Sequence, residues 1–165
     1  MRANIAVHAR SSRLVHDRIA DPYMRVAKLA QPVECPGCGA IFQRGRWQWT
    51  SRHAKSARRE FCQACRRVQD DYPAGIMTLR GGFVLAHLPE ILGVARNEEK
   101  AEMADHPMHR IMAVEEKRDR IVIKTTDIHL PGRIGRALVR ACKGELDLKF
   151  DKGAYFVRAD WRRER

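Results

Sequence analysis

The chain has 165 residues, a length that accommodates one ordinary domain together with a small accessory module. No apolar run approaches the roughly 20 residues of a membrane-spanning helix, which excludes a helical membrane protein and predicts a soluble one. The net charge of +12 favours a polyanionic partner, because counterion release from phosphates drives such binding.

The positive charge is concentrated near the start of the chain. Residues 1–33 carry six basic and two acidic side chains, and residues 34–70 carry eight and three. The remaining 95 residues carry eighteen and fifteen, so +9 of the +12 lies in the first 70 residues. An anionic membrane is the weaker alternative, because no segment joins a clean amphipathic face to bulky apolar anchors. The distribution favours RNA or DNA.

The first 33 residues are predicted to form a basic extension with one short helix. Asp21 can cap that helix, Pro22 suits its first position, and Pro32 limits its end. The opening ten residues are interrupted by charge before an apolar core forms, so no secretion signal is expected. We therefore expect a cytoplasmic protein in a reducing compartment.

Two tight cysteine pairs dominate the next segment, residues 34–72. Cys35 and Cys38 form the first pair, Cys62 and Cys65 form the second, and 23 residues separate them. Two pairs at this spacing predict a single tetrahedral zinc ion held by four thiolates. Such a site keeps no open position for water or substrate, so the ion is predicted to be structural.

Disulfides and redox catalysis are the alternatives for these cysteines. A reducing compartment argues against disulfides, and a redox dithiol needs only one pair in a strand–helix setting. The fifth cysteine, Cys142, falls in a predicted helix and is interpreted as a small buried apolar residue.

The last part of the chain, residues 76–163, alternates strand and helix patterns after a proline–glycine boundary near residues 72–75. Strands are predicted at 76–80, 111–115, 120–125, 146–150 and 155–159, with helices at 83–92 and 94–104 and a third that Asp127 caps. Pro89 and Gly93 are expected to kink or break the first helical region. The predicted fold is α+β: a small four-cysteine zinc module followed by a β-α-β-β-α-β-β domain of the split βαβ type.

Aromatic and basic residues are interleaved between the cysteine pairs. Such side chains can stack on unpaired bases while further cations hold phosphates. The residues assigned to RNA contact here are Arg44, Arg46, Trp49, Arg52, Lys55, Arg58 and Arg59. Phe42 and Trp47 also admit another interpretation, the apolar core that so small a module needs.

The helix after Asp127 carries a second basic group. Its members, which share one helical face, are Arg133, Arg136, Arg140 and Lys143. We assign them to RNA phosphates; a solvated helix face is the alternative. Gly132 and Gly135 are costly inside a helix, which suggests that a backbone, such as that of RNA, approaches closely there.

No catalytic constellation is recognisable. The seven histidines show no metal-binding spacing, and no phosphate-binding loop or nucleophile elbow is present. The chain is therefore predicted not to be an enzyme. Two rivals stay open: a zinc-containing DNA-binding regulator, and a nucleic-acid-modifying enzyme whose zinc would keep a water ligand.

Several segments of the chain form a recognisable set. Its first members are Cys35-Pro36-Gly37-Cys38-Gly39 and Asn97-Glu98-Glu99-Lys100-Ala101 with His109-Arg110-Ile111. The others are Thr125-Thr126-Asp127-Ile128-His129-Leu130 with Arg133-Ile134-Gly135 and Leu138, Lys143-Gly144-Glu145-Leu146, and Tyr155-Phe156-Val157-Arg158 with Trp161. Together these segments resemble the Nmd-three family, the large-ribosomal-subunit export adaptor of eukaryotes and archaea. The likeness covers residues 34–162 and is strongest over 124–161.

The resemblance implies zinc binding and attachment to ribosomal RNA of the large subunit. Family members carry more cysteine pairs and continue into a domain resembling a translation factor, so a nuclear-export role does not transfer. We expect a short prokaryotic relative that is monomeric when free and binds the large ribosomal subunit through its RNA.

Overall fold

The computed structural model describes the backbone of residues 7–9 and, in full, residues 20–24, 30–50 and 57–165. These ranges hold ten strands and four helices in two mixed sheets, so the predicted α+β class is confirmed. In chain order the elements are β1 (Val7–Ala9), β2 (Val33–Glu34), β3 (Ile41–Gln43), β4 (Arg46–Gln48), β5 (Arg58–Arg59), α1 (Gln63–Gln69), β6 (Gly75–Arg80), α2 (Gly82–Ala86), α3 (Leu88–Asp105), β7 (Ile111–Lys117), β8 (Arg120–Thr125), α4 (Leu130–Cys142), β9 (Glu145–Phe150) and β10 (Val157–Arg162). No helix in these ranges is both long and apolar enough to cross a membrane.

The larger sheet has six strands in the order β1-β9-β10-β6-β8-β7. Strand β8 lies between β6 and β7 and is antiparallel to both, which is the split βαβ arrangement. Strands β9 and β10 pair antiparallel, and β10 runs parallel to β6. The predicted order β-α-β-β-α-β-β is confirmed, with its first helical region divided into α2 and α3.

The two outer strands of this sheet differ. Strand β1, at one side, runs parallel to β9 and was not expected, because three residues are too few to show an alternation. Strand β7, at the other side, is charged at its end, where Glu116 and Lys117 are exposed. Its pairing with β8 shifts register between Ile111 and Ala113, which is the signature of a bulge.

The predicted helix near Asp21 falls largely on residues 25–29, outside the described residues. What the structure does describe there is a turn: the Asp21 carboxylate accepts a hydrogen bond from the Tyr23 amide at 2.9 Å. The same carboxylate forms a buried ion pair with Arg67 of α1, at 2.6 Å. Asp21 therefore joins the start of the chain to the cysteine-bearing segment.

The helical break lies at His87, so the expected break at Gly93 is wrong. Helix α2 ends at Ala86 and α3 begins at Leu88, which places Pro89 in the first turn of α3, where its missing N–H costs nothing. Gly93 continues α3 on an open face, because a side chain there would meet nothing within 4 Å.

The core of the larger sheet lies under α3 and α4. Its fully buried members include Met77, Leu79, Ile121, Ile123, Ile134, Leu138 and Trp161. The Trp161 indole N–H donates to the carbonyl of Lys143 at 3.0 Å, so the largest core residue has its polar atom satisfied. Strand β10 begins at Val157 rather than at residue 155, and this leaves Tyr155 and Phe156 in the loop before it.

Gly135 allows α4 to approach the sheet. A Cβ at this position would lie 2.5 Å from Leu146, closer than any side-chain contact allows. Gly132, on the same helix, is buried beside Arg136 of α4 and Leu148 of β9. The close neighbour of these glycines is therefore protein, and the interpretation that RNA approaches them is wrong.

The smaller sheet has the order β4-β3-β2-β5, and its strands are two or three residues long. Phe42 and Trp47 pack beneath it with ring centroids 5.5 Å apart, and the Trp47 N–H donates to Gln63 at 3.0 Å. Their interpretation as a module core is confirmed. Met108, from the connection between α3 and β7, is buried in the same cluster, so this connection contributes to the core of the small sheet.

Asp127 organises the start of α4. One carboxylate oxygen accepts hydrogen bonds from the amides of His129, at 2.6 Å, and Leu130, at 3.0 Å. The other oxygen is buried without a partner. Burial raises the pKa of Asp127 to about 6, because the charged form loses its hydration. The predicted capping role is confirmed, and it carries an electrostatic cost.

We predict that Asp127→Asn gains stability relative to the wild type as the pH rises. An ordinary aspartate has a pKa of about 3.9, so the folded state holds the Asp127 proton more tightly than the unfolded chain does. The protonated carboxyl favours folding at low pH, and this contribution is lost as the pH rises through 6. Asparagine keeps an acceptor for the two amides and avoids the buried charge.

The difference in unfolding free energy between variant and wild type should increase by about 1 kcal/mol from pH 5 to pH 8, measured by denaturant titration. The exposed Asp119→Asn serves as the matched control and should show no such trend. A pH-independent difference for Asp127→Asn would show that its carboxyl ionises freely in the folded protein.

Candidate metal centre

The four paired cysteines converge on one point. The sulfur atoms of Cys35, Cys38, Cys62 and Cys65 all lie within 4.8 Å of one another. Cys35 and Cys62 are fully buried, whereas Cys38 and Cys65 are partly exposed. The group could therefore hold one metal ion, with two ligands on the protein side and two towards the solvent.

Local backbone geometry brings the sulfurs together. Cys35 follows β2, and a turn closed by the hydrogen bond from Gly39 N to Cys35 O, at 2.9 Å, carries Cys38 back beside it. Gly39 has a φ of +78°, which favours glycine. A side chain at Gly37 would crowd the cluster, because a Cβ would lie 3.0 Å from the Cys65 sulfur.

The second cysteine pair sits at the start of α1. Cys62 is the N-cap residue, and its sulfur accepts a hydrogen bond from the Cys65 amide at 3.3 Å. The Cys62 amide in turn donates to the Cys35 sulfur, also at 3.3 Å. Amide donors aimed at sulfur stabilise thiolates, the form that binds metals.

Hydrogen bonds among the four cysteines shift the pKa values of their thiols in opposite directions. Hydrogen bonds from Cys38, Cys62 and Cys65 hold the pKa of the Cys35 thiol far below its usual range. The hydrogen bonds that Cys62 makes to Cys35 and Cys38 raise the pKa of the Cys62 thiol. A metal ion would displace the remaining protons and take their place at the centre of the cluster.

The sulfur spacing fits a single tetrahedral ion. With metal–sulfur bonds of about 2.3 Å, sulfurs at the corners of a tetrahedron lie about 3.8 Å apart. The Cys38 and Cys62 sulfurs are separated by 3.8 Å. Four thiolates converging in this way are compatible with one structural zinc ion.

Arg110 contacts the cluster from the larger sheet's side of the molecule. One terminal nitrogen of its guanidinium lies 3.1 Å from the Cys38 sulfur and 3.6 Å from that of Cys62, and the other lies 3.5 Å from that of Cys65. Its Nε donates to the Pro107 carbonyl at 2.6 Å, which fixes the side chain. A dication with four thiolates has a charge of −2, and Arg110 offsets half of it.

The sequence gives no local signal for Arg110. It stands 45 residues beyond Cys65, in a connection between α3 and β7 that has no cysteine or metal-binding motif. Only the docking of that connection onto the small sheet brings the guanidinium to the sulfurs.

The residues between the cysteine pairs that were assigned to RNA lie in separate places in the structure. Arg44 and Arg46 are exposed at the β3–β4 hairpin, and Arg58 and Arg59 are exposed on β5, at the opposite edge of the small sheet. Within the described part of the chain, none of these four arginines forms an ion pair. Arg52 and Lys55 lie outside the described residues.

Trp49 has both an anchored and an open part. Its side chain is 41% exposed, and its indole N–H donates to the Met103 carbonyl in α3 at 2.8 Å. The residue thus holds the end of β4 to α3 while presenting part of its ring to solvent.

The arginines of α4 are placed differently. Arg133 forms an ion pair with Glu102 at 2.7 Å, and Arg140 lies 3.6 Å from Glu98, so α3 supplies acidic partners for this face. Arg136 and Lys143 are exposed. The predicted basic face is therefore made by Arg133, Arg136 and Arg140, and the placement of Lys143 on it is wrong, because α4 ends at Cys142 and Lys143 leaves the helix with a φ of +61°. Arg133 and Arg140 have acidic partners on α3.

A buried polar network joins α3, the connection after it and the start of α4. Glu102 accepts a hydrogen bond from the His109 ring at 3.0 Å, and the His109 and His129 rings lie 5.3 Å apart. Burial lowers the pKa of both His109 and His129, which favours their neutral forms. The Arg110 amide donates to Thr126 at 2.9 Å, which ties this network to the cysteine cluster.

Comparisons with known proteins found no match among protein-family models, curated proteins or solved structures.

We predict that the purified protein holds one zinc ion per chain and that Cys62→Ser loses it. Four ligands close the site, and removing a fully buried one leaves an open, weaker position. Metal content should fall from about one ion to near zero, and chelation should lower the melting temperature of the wild type but leave that of Cys62→Ser unchanged. Cys142→Ala, a buried cysteine outside the cluster, should keep its zinc; equal loss in both variants would contradict the assignment.

We predict that Arg110→Met weakens the metal site without unfolding the protein. Removing an outer partner of metal ligands typically lowers affinity by about 10- to 100-fold. Competition with a chromophoric chelator measures this loss of affinity. Arg110→Lys should recover part of the affinity, because lysine restores the positive charge but not the paired N–H donors of the guanidinium. Arg118→Met, which removes an exposed charge from the β7–β8 hairpin, should leave zinc affinity unchanged. Wild-type affinity in Arg110→Met would mean that the guanidinium contributes nothing to the site.

Proposed function

We propose that this protein is a zinc-stabilised, non-catalytic RNA-binding factor that associates with the ribosomal RNA of the large ribosomal subunit. The observation that carries the proposal is the convergence of four cysteine sulfurs within 4.8 Å in a module whose two sheet edges expose arginines that form no ion pair with any described residue. The setting is the reducing cytoplasm, where thiolates persist as metal ligands.

Zinc is the proposed ion because the four ligands are all thiolates and the cluster has no place for a substrate. Cys35 and Cys62 are fully buried, and the Arg110 guanidinium lies against the other side of the cluster. A closed tetrathiolate site supplies folding energy rather than chemistry. Such an ion would hold the basic surface in a fixed shape.

The arginines of the small sheet support a phosphate-rich partner. Arg44, Arg46, Arg58 and Arg59 are exposed at its two edges, so their charges are available to phosphates. The arginines of α4 contribute less directly, because Glu98 and Glu102 neutralise Arg140 and Arg133. We therefore assign the main electrostatic contact to the cysteine-bearing module.

The ribosomal part of the proposal rests on the resemblance to the Nmd-three family. Three of the resembling segments meet in the structure: Ile111 donates to Glu99 at 2.7 Å, and Arg110 donates to Thr126 at 2.9 Å. Because these contacts lie around the larger sheet and α3, the likeness supports a shared architecture of that part of the chain first. The RNA-binding role draws on the exposed arginines as well.

Sedimentation of the tagged protein in its own lysate, at two salt concentrations, tests the proposal. Comigration with large subunits or whole ribosomes that weakens at high salt is the expected result. A protein that stays at the top of the gradient at both concentrations would remove the ribosome from the proposal. Sequence-specific binding to duplex DNA would favour the rival role as a regulator.

We predict that the double variant Arg58→Gln/Arg59→Gln binds RNA more weakly and with a flatter salt dependence. Each lost phosphate contact should reduce the slope of log affinity against log salt by about 1. Fluorescence anisotropy with a labelled RNA measures both quantities. The matched control, Lys117→Gln/Arg118→Gln, removes the same charge from the β7–β8 hairpin and should change the slope much less. Equal effects would mean that net charge alone drives binding.

A further inference from the structure

A cavity of about 610 Å³ lies where three parts of the chain meet. Its walls come from the turn at residues 20–23, from the segment that joins α1 to β6, and from the loop between β9 and β10. The volume falls in the range of small-molecule sites and is large enough for one nucleotide. The cavity is separate from the cysteine sulfurs, since none of the cysteines lines it.

Aromatic rings form the cavity's most distinctive wall. Tyr72 is 59% exposed, and its ring stacks on Tyr23 with centroids 5.9 Å apart and planes 24° from parallel. Tyr155 and Phe156 line the same space from the β9–β10 loop. A large ring held rigidly and left mostly open is suited to stack on a planar ligand.

A buried arginine fixes these rings in position. The Arg67 side chain is 1% exposed, and its guanidinium lies 4.3 Å from the centre of the Tyr23 ring and 5.7 Å from that of Tyr155. It donates to the Tyr72 carbonyl at 3.1 Å and pairs with Asp21 at 2.6 Å. This arginine is neutralised, so it orders the wall without supplying free charge.

Arg158 supplies the free charge. Its side chain is exposed, its guanidinium lies 4.8 Å from the centre of the Phe156 ring, and it lines the cavity. It forms no ion pair with any residue that the structure describes. Asp151 stands on the same wall and can accept a hydrogen bond from an exocyclic amino group, while its charge disfavours phosphate deep in the cavity.

We propose that this cavity binds an unpaired nucleobase, which stacks on Tyr72 while Arg158 holds an adjoining phosphate. The inference rests on the proposed RNA-binding function and specifies that the RNA is single-stranded where it meets the protein. A planar ring with an attached phosphate matches the open aromatic face, the unpaired cation and the volume together. A free nucleotide also carries a base and a phosphate, so the experiment compares binding of RNA with binding of free nucleotides.

The experiment measures binding of a short labelled single-stranded RNA, of the same strand in a duplex, and of free AMP and CMP. Tyr72→Ala should lower affinity for the single strand at least about fivefold, the lower limit for one base–aromatic stack, while Tyr72→Phe keeps it. Arg158→Gln should lower affinity and flatten the salt dependence. Leu85→Ala, which removes a side chain that is 60% exposed on α2, is the matched control and should bind like wild type. Melting curves of all variants should be similar, because Tyr72 and Arg158 are exposed.

Each of the remaining outcomes would contradict the base site, the single-stranded character of the RNA, or the RNA-binding function. If the wild type binds RNA and Tyr72→Ala binds equally well, the cavity is not the base site, and the RNA-binding function stands without it. An equal loss for single strand and duplex would also overturn the assignment of an unpaired base. Binding of AMP or CMP that Tyr72→Ala abolishes, without any RNA binding, would keep the nucleobase cavity and overturn the RNA function. No binding of RNA or nucleotide would overturn both.

Discussion

The contact between Arg110 and the cysteine sulfurs is the interaction that ties the metal centre to the larger sheet. The small sheet has strands of two or three residues and too little apolar surface to be stable alone. Four converging thiolates close it, and a guanidinium 3.1 Å from Cys38 joins it to the larger sheet. Met108 enters the small core two residues before that arginine. An electrostatic contact and apolar burial therefore both come from the connection between α3 and β7.

Paired and unpaired charges separate structural from binding roles in this chain. Asp21 and Arg67 form a buried ion pair, and Arg133 forms an ion pair with Glu102, so these charges contribute to the fold rather than to binding. Arg44 and Arg59 belong to the exposed cations that form no ion pair with any described residue. A net charge of +12 alone could not make this distinction, because it counts both groups equally.

Features that depend on residues close together in the chain could be predicted from the sequence. Features that depend on contacts between distant segments could not. The cysteine spacing predicts the cluster, and alternation predicts β8 with the bounds Arg120–Thr125 that the structure has. Strand β1 is too short for a pattern and exists only through its pairing with β9. Arg110 reaches the sulfurs only because the two sheets lie next to each other. Gly135 is required because the Leu146 side chain, from β9, packs directly against it. Trp49 was assigned to RNA, but its contact with Met103 depends on the same docking.

The irregular outer strand β7 has a consequence for how the protein behaves at high concentration. An exposed strand edge offers free backbone donors and acceptors that a second molecule can use to extend the sheet. The register shift between Ile111 and Ala113 interrupts that row of groups, and Glu116 and Lys117 place charges at its far end. Edge-to-edge growth along β7 is thereby discouraged, which protects a chain rich in strands from aggregating through this side.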